Sequence, residues 1–253
     1  EQFRVLDSLA PGRIDLGLGR APGSDGRTAF ALNPLANERP AQFPSDVRDL
    51  MAWVTGKSLV DKHPFGTLEA FPKGDTAPEI WILGSSNYGA QIAAHFGLPY
   101  CFAWFFSDGR GAAEAVEIYR NSFQPSDLCE KPYVGLCVWA FAAETEEEAQ
   151  FHYSSRAKWK IFRERGFFLP IEPPEIASRQ EYDGRERERL ERDRATAFVG
   201  TPSKVVGQIK RLGEDMEIDE MALVTWVYDE DIRRKSFSLI GKAANLPKPG
   251  SGS

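Results

Sequence analysis

Glu79-Ile80-Trp81-Ile82-Leu83-Gly84-Ser85-Ser86-Asn87-Tyr88-Gly89 is the stretch that decides the fold class. An apolar run empties into small and hydroxylated residues, and Asn87 to Phe96 then alternates small and apolar side chains as a packed helix does, with Gly97 where a C-cap belongs. This is a strand feeding a helix, with free backbone N–H groups converging at the strand's C-terminal end, where α/β barrels keep their chemistry. Arg13-Ile14-Asp15-Leu16-Gly17-Leu18-Gly19-Arg20-Ala21-Pro22-Gly23 repeats the plan upstream.

Working outward, Gln2 to Leu9 reads as an amphipathic helix already under way at Glu1, and Ile14 to Gly19 as a strand. A polar connection with Pro34, Pro40 and Pro44 leads to a helix over Ser45 to Thr55, and a second loop region with Pro64, Pro72 and Pro78 delivers strand Ile80 to Leu83. Tyr100 to Phe106 reads as a strand buried on both faces, followed by helix Gly111 to Asn121. Tyr133 to Phe141 is another long apolar run, after which Glu144 to Glu148 opens a helix with an acidic first turn. Ser178 to Arg194 holds six arginines and six acidic residues, a near-neutral stretch that reads as a solvated, salt-bridged helix or as a mobile insertion, with a substrate lid as the sharper alternative. Gly200-Thr201-Pro202-Ser203 caps helix Lys204 to Leu212, and strand Met221 to Tyr228 and helix Asp231 to Ala244 complete the series. Five strands alternating with helices imply parallel βαβ units. One domain over residues 1–246 and a flexible tail over 247–253 are expected.

With 253 residues, 42% of them hydrophobic and 27% charged, the chain can bury a full core. The net charge of −6 argues against nucleic acid or an anionic membrane surface as a partner, and no run reaches the roughly 20 apolar residues of a membrane span. A soluble, cytoplasmic protein with a small-molecule partner is expected. Cys101, Cys129 and Cys137 are odd in number without a CxxC pair, which disfavours a disulfide framework or a four-ligand zinc site, and Cys101 and Cys137 are expected to be buried.

The chemistry rests on two turns. Gly84 lets backbone approach a ligand, Ser85 and Ser86 offer hydroxyls beside free N–H groups, and the next helix aims its positive end at the same spot, an arrangement suited to a phosphate monoester. An ordinary Ser N-cap has the same sequence. Arg20 stands at the corresponding end of another strand, after Gly17 and Gly19, and its guanidinium can hold a phosphate bidentately, although an arginine in a polar loop commonly forms a surface ion pair. Trp104, Phe105 and Trp226 are candidates to wall a dry pocket, or else core packing.

Leu6 to Gly23, Trp81-Ile82-Leu83-Gly84-Ser85-Ser86 with the following Gly97-Leu98-Pro99-Tyr100, and Val199-Gly200-Thr201-Pro202 together resemble the bacterial-luciferase-like flavin monooxygenases. The resemblance implies a (β/α)8 TIM barrel from which the first three β/α units are absent in this chain, and a flavin mononucleotide (FMN) site formed by Arg20, Ala21, Pro22, Gly84, Ser85, Ser86 and Tyr88. It implies that reduced FMN and O2 oxygenate a small organic substrate through a flavin hydroperoxide, with a separate flavin reductase and a homodimer as expected partners. Coenzyme F420 and hydride transfer are the alternative, as is a non-catalytic flavin-binding subunit. His63, His95 and His152 match no catalytic position of the family, so no acid/base residue is carried over. With the three preceding units absent, the first and last strands would present unpaired edges.

Overall fold

The computed structural model describes residues 1–21, 25–34 and 40–247. In chain order the elements are α1 (Gln2–Leu9), β1 (Asp15–Leu18), α2 (Gly26–Leu32), a 3-10 turn (Pro40–Gln42), α3 (Phe43–Thr55), β2 (Glu79–Gly84), α4 (Asn87–Phe96), β3 (Tyr100–Phe102), α5 (Trp104–Ser107), α6 (Ala112–Ser122), β4 (Val134–Ala142), α7 (Glu146–Glu164), α8 (Pro174–Ala177), α9 (Gly184–Thr196), β5 (Phe198–Gly200), α10 (Pro202–Asp215), β6 (Glu220–Val224) and α11 (Glu230–Ala243). The protein is mixed α/β with parallel strands. Two compact units comprise Glu1–Ala103 with Gly109–Gly135, and Trp104–Asp108 with Leu136–Ser253. Apart from Pro247, the expected tail falls outside the described residues.

In the first unit β1 pairs in parallel with β2, Leu18 opposite Ile82, and β2 in parallel with β3, Gly84 opposite Phe102. Ile80 and Ile82 of β2 and Tyr100 and Phe102 of β3 are buried on one face of each strand; on the other face Trp81 is buried but Cys101 is partly exposed and Leu83 exposed, so the expected burial of β3 on both faces is incomplete. The small face of α4, with Ala90, Ala93 and Ala94 buried, lets α6 pack closely against it. The Tyr119 phenol donates to the Leu98 carbonyl at 2.9 Å and accepts the Tyr133 amide at 3.1 Å, so this buried hydroxyl is fully used. α1 is anchored by polar groups: Arg4 Nε donates to the Pro72 carbonyl at 2.9 Å, and Thr76 Oγ1 donates to Asp7 at 2.7 Å, with Arg4 and Asp7 both buried.

In the second unit the period-2 alternation of β4 divides the core. Trp139 and Phe141 pack with Ala149, Tyr153, Ala157 and Ile161 of α7, while Val138, Ala140 and Ala142 pack with Val205, Val206 and Ile209 of α10 and Ile240 of α11. β5 runs parallel to β4, with Phe141 opposite Val199, and β6 also pairs with β4. The acidic start of α7 is capped by the Thr145 hydroxyl, which accepts the Glu148 amide at 3.1 Å. The Arg-rich stretch forms α9, opened by a reciprocal Asp183–Glu186 capping box and held to α7 by ion pairs of Arg189 with Glu164 (3.0 Å) and of Lys160 with Asp193 (3.0 Å). The reading as a salt-bridged helix therefore describes it.

Several boundaries differ from expectation for local reasons. The strand expected over Tyr100 to Phe106 ends at Phe102: the Ala103 amide, bonded to the Gly84 carbonyl at 2.7 Å, is the last rung on β2, and Trp104 to Ser107 then coil into α5. The strand expected over Met221 to Tyr228 ends at Val224, because the Thr225 hydroxyl donates to the Ala140 carbonyl at 2.6 Å, a carbonyl the ladder would otherwise use. A sixth strand, β5, is too short to show in a pattern search. α3 begins at Phe43 rather than Ser45, since Pro44 is tolerated in a first helical turn, and the Ser45 hydroxyl bonds back to the Gln42 carbonyl at 2.7 Å instead of capping. Cys101 and Cys137 are partly exposed, not buried, although burial of the Cys137 thiol is enough to raise its pKa to about 11. Among the described residues, no helix is long and apolar enough to cross a membrane, and no cluster of His, Cys, Asp or Glu could hold a metal ion.

Gly97 ends α4 in the left-handed region at φ +58°, and a Cβ there would run into the Gln124 carbonyl and the Ser126 side chain. Gly97→Ala is expected to lower stability in urea unfolding by about 2 kcal/mol or more, from backbone strain and this collision together. Glu146 accepts the Thr201 amide at 3.0 Å and the Lys204 ammonium at 2.8 Å, which hold its carboxyl below the usual range. A lowered folded pKa stabilises above the ordinary value of 4.5 and loses that contribution as the pH falls through the folded value. Glu146→Gln should therefore melt slightly below the parent protein at pH 7, by no more than about 1 kcal/mol for so exposed a pair, and the gap should close in acid. A gap that widens in acid would contradict this assignment.

Candidate functional site

Parallel pairing of β1 with β2 puts their C-terminal ends side by side, and continuing the Leu18–Ile82 register brings Arg20 level with Gly84. From there the Arg20 guanidinium lies over the Tyr88 ring, 4.1 Å from its centroid, in the first turn of α4. Residues 68 positions apart in sequence thus meet at one helix entrance. Ala21 follows, exposed beside Arg20, whereas Pro22 lies outside the described residues.

That entrance is open. Ser86 occupies the N-cap position with extended backbone (φ −152°, ψ 165°), but its hydroxyl makes no capping bond, so the α4 N–H groups have no acceptor from it. Ser85 and Ser86 are exposed and Tyr88 half-buried. Arg20 forms no carboxylate pair among the described residues, so the surface ion-pair alternative is not what holds it. One nearby carboxylate, Glu114, accepts the Asn87 side-chain amide at 2.7 Å and is thereby occupied. An uncompensated guanidinium, two free hydroxyls and an uncapped helix start with a positive dipole end form a site matched in charge and donors to a phosphate monoester.

The glycines also serve packing. A Cβ on Gly84 would meet the Gly89 Cα at 3.4 Å and the Tyr100 ring at 3.5 Å, ordinary contact distances, and one on Gly89 would meet the Gly84 Cα at a tight 3.3 Å, so the pair lets α4 lie close on β2. A Cβ on Gly17 would meet the Leu83 side chain at 2.7 Å, so this glycine makes room for Leu83 and not for Arg20. The buried Tyr100 phenol donates to the Ser86 carbonyl at 3.3 Å, and burial pushes its pKa well up, so it acts as a neutral strut under the turn.

Trp104, Phe105 and Trp226 belong to the second unit. Phe105 meets Trp226 edge to face at 5.2 Å between centroids, and Trp104 packs on Phe198 at 6.5 Å. All three are partly exposed, which leaves ring surface free. Between Trp139 and Trp226 lies the guanidinium of Arg156, a residue no sequence motif singles out; its one signal is a charge set beside the buried Ala149, Tyr153, Ala157, Ile161 stripe of α7. Of the histidines, His63 pairs with Asp49 at 3.0 Å in the loop region before β2, His95 is exposed on α4, and His152 packs its ring on Phe141.

Residues 1–220 match the family described as luciferase-like monooxygenase. A luciferase-like monooxygenase of Escherichia coli (strain K12) is 34% identical over 239 residues, covering 94% of this chain and 70% of that protein. Among solved structures, apo-MsnO8 superposes with a TM-score of 0.80 at 27% identity, over 97% of this chain and 72% of that one. Two more distant structures share the fold. One is the oxygenating constituent of 3,6-diketocamphane monooxygenase of Pseudomonas putida, a type II Baeyer-Villiger monooxygenase in complex with FMN (TM-score 0.57, 17% identity, 96% of this chain and 73% of that one). The other is an F420-dependent secondary alcohol dehydrogenase with an F420-acetone adduct (TM-score 0.61, 14% identity, 96% and 73%). The strand-ends-to-helix architecture and these matches agree: the chain belongs to the luciferase-like monooxygenase family, a family of oxidoreductases.

Proposed function

We propose that the protein is a flavin-dependent monooxygenase that takes reduced FMN and O2 to oxygenate a small organic substrate, with its parallel strands forming part of a (β/α)8 barrel. The observation that carries the reading is the Arg20–Tyr88 contact at the uncapped start of α4. Reduced FMN would supply the electrons that activate O2; a separate reductase would deliver it. Arg20 binds the phosphate through paired N–H donors, Ser85 and Ser86 add hydroxyls, and the α4 amides complete the cradle. Tyr88 holds the guanidinium in place by cation–π attraction. Gly84 contributes through its backbone, since its own Cβ direction is filled by α4. Ala21 continues the Arg20 loop beside the same headgroup, and Trp104, Phe105 and Trp226 are the apolar surface assigned to water exclusion and substrate contact.

Coenzyme F420 also carries a phosphate, and a fold neighbour binds it, so the same cradle serves the second reading, hydride transfer to or from an organic substrate. Oxygen uptake with reduced FMN separates the two: turnover that consumes no O2 but reduces or oxidises F420 would replace the first reading with the second.

Arg20→Ala should weaken FMN roughly ten- to hundredfold, the weight of one charge-assisted contact, while changing riboflavin affinity little, because only FMN has the phosphate. Flavin fluorescence quenching reads both. Equal losses for the two ligands would mean that the substitution disturbs the fold instead.

A further inference from the structure

Arg156 is 5% exposed, a guanidinium taken almost wholly out of water. Its carbon lies 4.4 Å from the Trp139 ring centroid and 5.5 Å from that of Trp226, so two indoles supply cation–π attraction. Its five N–H donors have far less: one bond to the Phe105 carbonyl, at a long 3.5 Å. Among the described residues no carboxylate stands within ion-pair distance of it. The two nearest in charge coupling, Asp108 and Asp193, both bond to Lys160. Beside Arg156 the Trp139 indole N–H is buried and has no acceptor at all.

Both residues line one cavity of about 20 Å³, room for a water or for one end of a small ion, whose walls include Trp104, Phe105 and Tyr153 and which reaches the exposed Thr196. Its charged lining is Arg156 and Lys160 with Asp108 and Asp193, and both carboxylates bond Lys160, which leaves the Arg156 guanidinium without a bonded counter-charge. A water could accept from one orphan donor but offers the guanidinium no charged partner. A carboxylate accepts from the guanidinium's paired donors in the planar geometry that the fork favours.

We infer that this cavity, built by Arg156 and the Trp139 indole N–H, is a carboxylate-binding site distinct from the Arg20 cradle. Its ligand is a small carboxylate, either free or as the head of a larger organic acid.

Sodium formate is the probe, titrated into the full chain at constant ionic strength with tryptophan emission as readout, since Trp139 and Trp226 flank the guanidinium. A saturable change is expected, with a matching rise in melting temperature. Arg156→Gln should raise the midpoint roughly ten- to hundredfold, and Trp139→Phe, read by melting temperature because a reporter is lost, by several-fold. Arg156→Lys, which keeps the charge but not the planar fork, should bind with intermediate strength and serves if the Gln variant does not fold. Hexanoate binding more tightly than formate identifies the head of a larger acid; formate binding more tightly identifies a free ion. The inference fails if the folded parent protein shows no saturable response to formate, or if the parent and folded Arg156 variants respond alike.

Discussion

Everything at the candidate site depends on how closely a helix can lie on the end of a strand. Gly84 at the end of β2 and Gly89 in the first turn of α4 face each other, and a side chain on either would press within about 3.4 Å of the opposing backbone. That close approach sets where α4 begins, where its N–H groups point and where Tyr88 stands to receive Arg20. The phosphate-suited electrostatics are therefore a consequence of packing. The charge could not be gathered at the turn if the backbones stood farther apart.

The same economy of space governs the second unit. β4 buries both faces, so its alternate residues must fill two different gaps: the large Trp139 and Phe141 toward α7, and the small Val138, Ala140 and Ala142 toward α10 and α11. Some polar groups in that interior find partners, as the Ser236 hydroxyl does with the Ala142 amide at 2.9 Å and the Thr225 hydroxyl with the Ala140 carbonyl, whereas the buried Ser155 hydroxyl has none among the described residues. Against this background the under-bonded Arg156 and Trp139 stand out. Buried donors are ordinarily paired, and a buried guanidinium without a carboxylate implies a role that packing does not provide.

The two groups of site residues illustrate different kinds of constraint. Arg20, Ser85 and Ser86 stay exposed and open to a large ligand, and their arrangement is set by backbone alone: a parallel register and a helix start. Trp104, Phe105 and Trp226 are arranged by side-chain contact, edge to face and ring on ring, so their positions follow from what fills the unit's interior.

Sequence alone determined the alternation of strands and helices, the acidic start of α7 and the end of α4 at Gly97, because each is written in local periodicity or in a short motif. What it could not determine were features whose causes lie far away in the chain. β3 gives way to α5 after its last rung on β2, the Thr225 hydroxyl just past β6 bonds the Ala140 carbonyl of β4, and the three-residue β5 is defined by its pairing with β4. Gly17 and Gly84 were visible as glycines, but only the tertiary structure showed that Leu83 and α4 occupy the space they vacate. Arg156 was one charge among many on a long helix until folding removed its water and put two indoles around it. Local patterns specify where hydrogen bonds can form within an element; desolvation and shape exist only once distant segments meet.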